Sequence, residues 1–134
     1  MIYVFLLYIS ELKKQLVKYY KNKQSTVPLS PLVEEKDTHL AGFYVMPGMD
    51  LVTEKSQTSD QEERISINSL TDLFITGSKN QEDIYLSADA GFGKTSFSKY
   101  LAITWSQACS PDSNKSCFKD KDLKALAKFE FVFL

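Results

Sequence analysis

Hydrophobic residues recur every three or four positions through the first part of the chain. The alternation runs through Ile2, Phe5, Ile9, Leu12, Leu16 and Tyr19. This spacing is typical of one face of an amphipathic helix. The remaining positions carry lysines that keep the other face solvated, at Lys13, Lys14, Lys18, Lys21 and Lys23. We therefore predict a helix over residues 1–23 that packs against a partner surface, because fewer than three heptads do not establish a coiled coil.

Residues 24–83 alternate short apolar runs with polar stretches and indicate a lead-in segment. Two prolines within residues 25–32 favour an extended connector. Residues 43–46 are a candidate strand that ends at Pro47, with a possible continuation over residues 50–52. Residues 53–64 contain no apolar side chain and are expected to be disordered, because nothing in them can be buried to offset the entropy of ordering.

A short helix is predicted after this polar stretch. Asn68 or Ser69 is a suitable N-terminal cap. The helix would then place Leu70, Leu73 and Phe74 on one face.

Residues 84–96, IYLSADAGFGKTS, carry the most specific pattern in the chain. A short apolar run leads into a loop with two glycines, which is followed by Lys94, Thr95 and a helical pattern. This is the strand–loop–helix setting of a P-loop, G-x-x-x-x-G-K-[ST]. Gly93, Lys94 and Thr95 fill its last three positions, and Ala88 replaces the first glycine. The alternative is a chance glycine-rich turn before a helix.

The loop predicts a phosphate site. Small side chains allow backbone N–H groups to surround an anion at the positive end of the helix dipole. The Lys94 ammonium can reach the β- and γ-phosphates, and the Thr95 hydroxyl can bind Mg²⁺. The methyl group of Ala88 restricts positive φ and weakens the expected affinity. The predicted contact residues are Ala88, Asp89, Ala90, Gly91, Phe92, Gly93, Lys94, Thr95 and Ser96.

The elements around the loop predict an α/β fold. A crossover helix over residues 94–108 directs one face at a sheet through Phe97, Leu101, Thr104, Trp105 and Ala108. Residues 129–134, FEFVFL, are suited to a buried strand. Together they predict an incomplete three-layer P-loop NTPase core. In this core, parallel strands 84–87 and 129–134 are connected by the helix and preceded by the N-terminal helix and an irregular lead-in.

Composition and net charge limit the classes of partner that we expect, but they do not indicate a function. The chain has 134 residues and a net charge of −1, which gives no reason to expect nucleic acid or an anionic membrane as a partner. The apolar run at residues 1–9 has about half the length of a bilayer span. Cys109 and Cys117 are expected to be free thiols in a reducing cytosol. We therefore expect a cytoplasmic protein without a membrane span.

Two segments resemble the NACHT family of signal-transduction NTPases, within the STAND group. Residues 84–108 are similar to its phosphate loop and following helix, with AGFGKT at residues 90–95, although Ala88 departs from the usual leading glycine. Residues 129–134 resemble the strand after the first crossover. Residues 25–46 resemble, less specifically, the lead-in of large invertebrate NACHT-containing receptors.

The resemblance implies that residues 84–134 begin a nucleotide-gated switch in innate immune signalling. It implies ATP or GTP as the nucleotide, with ATP favoured, Mg²⁺ as its metal, and self-oligomerisation or a partner helix. A P-loop NTPase also needs a second strand that ends in an aspartate and holds Mg²⁺. No such strand is found after the loop in this sequence. We therefore expect a fragment of a longer NTPase that does not hydrolyse nucleotide alone. Two alternatives stay open: another P-loop class such as a small kinase or GTPase, and a non-enzymatic adaptor with a vestigial loop.

Overall fold

A computed structural model describes residues 2–28, 37–53, 63–77 and 84–134. The chain divides into two compact units. The first joins Met1–Tyr44 to Thr95–Leu134, and the second is Val45–Lys94. More than half of the described residues lie in helices. None of these helices combines the length and the apolar content needed to traverse a lipid bilayer.

The first unit begins with five of the described elements. They are α1 Ile2–Tyr19, a π-helical segment Tyr20–Gln24, β1 Thr26–Pro28, β2 Asp37–His39 and α2 Leu40–Phe43. Next come β3 Met49–Thr53, β4 Glu63–Ile67 and α3 Leu70–Gly77. The chain continues with α4 Lys94–Cys109, a 3-10 helix Ser113–Cys117 and α5 Asp120–Leu126.

Helix α4 lies at the centre of the first unit. The sequence predicts a single buried face, but every side chain from Ala102 to Gln107 is buried. Trp105 is fully buried, with the Tyr20 ring edge-on at a centroid distance of 6.2 Å. The Trp105 indole N–H donates to the Phe129 carbonyl at 3.1 Å. Trp105 is therefore core, as predicted.

The buried hydroxyl groups of α4 are satisfied within the helix itself. The Thr104 hydroxyl donates to the Tyr100 carbonyl at 2.6 Å, and the Ser106 hydroxyl donates to the Ile103 carbonyl at 2.8 Å. Such bonds allow small polar side chains to be buried without a partner on another element. This explains how α4 can carry polar residues on a buried surface.

The N-terminal helix uses a different face from the predicted one. Val17 and Tyr20 are buried, whereas Leu12 and Tyr19 of the predicted apolar seam are largely exposed. Leu16 is intermediate and borders the buried side. The packing face is set by the position of Trp105, which Tyr20 contacts, rather than by the apolar alternation alone.

The second unit contains an antiparallel hairpin and a capped helix. Strands β3 and β4 pair in the register Met49↔Ile67 to Thr53↔Glu63. The predicted disordered stretch reaches into both strands at its ends, while its residues 54–62 lie outside the described residues. Helix α3 begins as predicted, with the Ser69 hydroxyl accepting a hydrogen bond from the Asp72 N–H at 3.1 Å.

The predicted three-layer parallel core is wrong. The described strands form two separate two-stranded antiparallel pairs, β1–β2 and β3–β4. Residues 84–87 and 129–134, predicted as parallel strands, are irregular, and α4 is not a crossover between them. A strand requires a neighbour for its backbone groups. The apolar character of these segments does not by itself provide such a neighbour.

A second correction concerns residues 43–46. They were predicted to be a strand, but α2 ends at Phe43 and the following residues are irregular. The Tyr44 ring instead stacks on the Tyr100 ring at a centroid distance of 4.1 Å. Local β-propensity was overridden here by this aromatic contact with α4.

The C-terminal segment is held by side chains rather than by a strand partner. The Tyr20 hydroxyl donates to the Val132 carbonyl at 2.9 Å and accepts from the Leu134 N–H at 3.1 Å. Tyr20 itself is 2% exposed. These bonds give two backbone groups of the segment a partner without a sheet.

We predict that Tyr20→Phe lowers the free energy of unfolding by about 1–2 kcal/mol, since both bonds are lost while the ring contacts remain. Urea denaturation measures the change. Tyr8→Phe is the matched control because the Tyr8 side chain is 78% exposed. An equal effect in the two variants would show that the Tyr20 hydroxyl does not hold the segment.

Two stacked tyrosines, the buried Tyr100 and the half-buried Tyr44, lie near a buried carboxylate beside α4. The Tyr100 hydroxyl donates to Asp122 Oδ2 at 3.0 Å, and Asp122 is 4% exposed. Burial, followed by the negative charge of Asp122, raises the pKa of Tyr44 to about 12. The same causes raise the pKa of Tyr100 further. The folded state therefore keeps both hydroxyls protonated at a pH where the unfolded chain ionises them.

This difference predicts a loss of stability in alkali. The contribution is complete below about pH 10, where unfolded tyrosine is neutral. It is lost as the pH rises toward the pKa of Tyr44, about 12, because only the unfolded state releases the protons. We expect Tyr44→Phe/Tyr100→Phe to show a smaller fall in unfolding free energy between pH 9 and about pH 11. Tyr8→Phe/Tyr85→Phe, at exposed positions, should keep the wild-type slope in urea titrations, and identical slopes in all three proteins would refute the assignment.

Candidate phosphate-binding loop

The segment before α4 forms a tight exposed loop. Residues 84–89 are irregular, residues 90 and 91 form a turn, and α4 begins at Lys94. Gly91 has a φ of 88° and Gly93 a φ of 81°. Both values lie in the region that side chains with a Cβ rarely adopt, so the two glycines are required by backbone conformation. The Phe92 N–H points back to the Asp89 carbonyl at 3.5 Å.

The space beside Gly91 and Gly93, where a side chain would project, is open. A Cβ built on Gly91 or Gly93 would meet nothing within 4 Å. No described backbone carbonyl accepts a hydrogen bond from the N–H group of either glycine. The loop thus combines unrestricted space with N–H groups that are available to an incoming acceptor.

Lys94 folds back across the loop. Its Nζ donates to the Ala88 carbonyl at 2.5 Å and to the Asp89 carbonyl at 2.8 Å. The ammonium group is therefore positioned inside the curve of the chain, next to the backbone between Ala88 and Gly93. The acceptors of these two bonds are backbone carbonyl oxygens.

The first turn of α4 adds further donors. The first four N–H groups of an α-helix have no acceptor within the helix, and they carry the positive end of its dipole. No acidic residue lies in the first turn to compensate for it. Thr95 is exposed and Ser96 is intermediate, so the Thr95 hydroxyl is accessible at the second helical position.

The structure thus brings several predicted residues together locally. Ala88, Asp89 and Lys94 are joined by hydrogen bonds, and Gly91 and Gly93 shape the turn between them. Ala90 and Phe92 are exposed within the same turn. The folded-back position of Lys94 is the feature that sequence reasoning did not anticipate, and nothing in the pattern specifies it.

The donor set fits a magnesium ion only in combination with a ligand. Within the described ranges, no three His, Cys, Asp or Glu side chains lie close enough to hold a metal. Mg²⁺ commonly takes one or two protein oxygens and completes its shell with phosphates and water. The Thr95 hydroxyl can be one such oxygen.

Comparison with known proteins adds no relative: no family model, curated protein or solved structure matches the chain.

Proposed function

We propose that residues 88–96 bind the phosphates of a nucleoside triphosphate together with Mg²⁺. The observation that carries the proposal is the position of Lys94, whose ammonium lies across a loop shaped by two positive-φ glycines. An anion that enters the loop would meet the Lys94 ammonium beside the Ala88 and Asp89 carbonyls. A negatively charged phosphate oxygen adds Coulomb attraction to its hydrogen bond with an ammonium, which favours binding.

Each part of the loop has a separate role. Backbone N–H groups at Gly91 and Gly93 bind phosphate oxygens, and the start of α4 adds its dipole and its unpaired N–H groups. Lys94 reaches toward the terminal phosphates, while Thr95 binds the metal. Bound Mg²⁺ would neutralise part of the phosphate charge.

The identity of the nucleotide and its role in signalling are inferred from sequence resemblance and not from the geometry of the loop. The preference for ATP over GTP, and a place in NACHT-type signalling, rest on the resemblance of residues 84–108 to that family. The parallel sheet that the resemblance implies is not formed by the described residues. Binding of nucleotide, rather than its hydrolysis, is therefore the activity proposed for this chain.

Lys94→Ala is expected to weaken binding of Mg²⁺-ATP by about 2–3 kcal/mol, because it removes the charge-assisted contacts. Isothermal titration calorimetry measures the affinity. Lys99→Ala, five residues further along α4, removes the same charge outside the loop and should retain the wild-type affinity. The proposal fails if the two variants bind equally, or if the wild-type chain binds no nucleotide.

The role of Thr95 is tested by the dependence of ATP affinity on Mg²⁺. Thr95→Ala should abolish the difference in ATP affinity between buffers with Mg²⁺ and with EDTA, while Thr95→Ser should preserve it because the hydroxyl remains. A metal dependence that survives in Thr95→Ala would remove Thr95 from the metal site without affecting the case for Lys94.

A further inference from the structure

A basic groove lies along α1, within the first unit. Its volume is about 440 Å³, in the range of small-molecule sites. Four lysines line it together with neutral polar residues and one apolar residue. The lining residues are Ser10, Lys13, Lys14, Val17, Lys18, Lys21, Asn22, Cys109 and Ser110. No carboxylate is among these described residues.

The four lysines differ in how they are held. Lys21 is bound to Asp112 at 2.7 Å and also donates to the Ser110 carbonyl. Lys13 Nζ lies 5.8 Å from the centre of the Trp105 ring, so its stem is fixed against the core. Lys14 and Lys18 are exposed, and no described carboxylate lies within ion-pair distance of either. The groove therefore has two fixed cations and two available ones.

Cys109 lies on the wall next to Lys13. Burial raises the pKa of its thiol, and the charge of Lys13 together with a hydrogen bond opposes the rise. The positive charge of Lys13 thus acts at the wall of the groove as well as on the Trp105 ring.

The backbone at one end of the groove is unusual. The α-helix changes to a π-helix at Tyr20–Gln24, and this segment provides Lys21 and Asn22. π-helical turns are rare and are frequently associated with functional sites. The Lys21–Asp112 ion pair connects this segment to the chain after α4. The wider turn is therefore held in place, and it brings two polar side chains to the groove.

We propose that this groove binds a small polyphosphate, a compact anion with several phosphate oxygens. The four lysines, from Lys13 to Lys21, span about two helical turns of backbone, roughly 12 Å. Serine hydroxyls and the Asn22 amide supply further donors. An acidic peptide is less suited, because peptide grooves also use apolar pockets and only Val17 is an aliphatic residue here. None of the lining residues belongs to the loop at residues 88–96, and the proposal does not depend on the function proposed for that loop.

The test uses inorganic tripolyphosphate and the full chain carrying Lys94→Ala, so that the loop does not contribute. Calorimetry at physiological ionic strength should detect saturable binding. Lys14→Gln/Lys18→Gln should weaken it about tenfold, because two charge-assisted contacts at an exposed site are removed. Lys121→Gln/Lys124→Gln, at exposed positions of α5, makes the same change in net charge and should have no effect.

The two cysteines give a second readout. Tripolyphosphate should slow alkylation of Cys109, which lines the groove, and leave Cys117 unaffected as the internal control. Mass spectrometry after limited iodoacetamide treatment measures both rates. Circular dichroism and the thermal midpoint confirm that the variants are folded.

Three results would overturn the proposal. One is the absence of saturable binding. Another is an equal loss in the two lysine pairs, which would indicate general charge attraction. A third is stronger binding of octaglutamate than of tripolyphosphate, which would identify the groove as a site for acidic peptides.

Discussion

The first unit depends on the contacts made by the buried side chain of Trp105. Its indole is fully buried, meets the edge of the Tyr20 ring and donates to the Phe129 carbonyl. Lys13 lies over the same ring. One side chain of α4 thereby positions α1, the π-helical segment and the C-terminal residues. Because a buried tryptophan provides a large contact area, these segments cannot shift independently of it.

Hydrogen bonds from side chains to the backbone explain the irregular conformation of the C-terminal segment. The C-terminal apolar run has the composition of a strand, yet its backbone groups bond to the side chains of Tyr20 and Trp105. Those bonds replace part of a strand ladder. The apolar side chains of Phe133 and Leu134 stay largely exposed, because no sheet covers them in the described structure.

Charge is organised locally rather than over the whole chain. The net charge of −1 gives no reason to expect nucleic acid or an anionic membrane as a partner. The structure nevertheless collects Lys13, Lys14, Lys18 and Lys21 in one groove and places Lys94 across an open loop. The lysine spacing along α1 is the sequence signal for this groove, although the spacing alone predicts only a solvated face. A mean charge averages over such clusters, so it cannot exclude them.

Short-range features were determined by the sequence itself. The start of α4 at Lys94, the Ser69 cap of α3 and the need for glycine at Gly91 and Gly93 depend on residues within a few positions of one another. Tertiary structure decided the rest: which face of α1 is buried, and whether residues 84–87 pair as a strand. A strand exists only where a distant segment completes its hydrogen bonds, and a helix buries the face that meets its largest partner. Both depend on contacts between residues far apart in the chain, which local spacing does not encode.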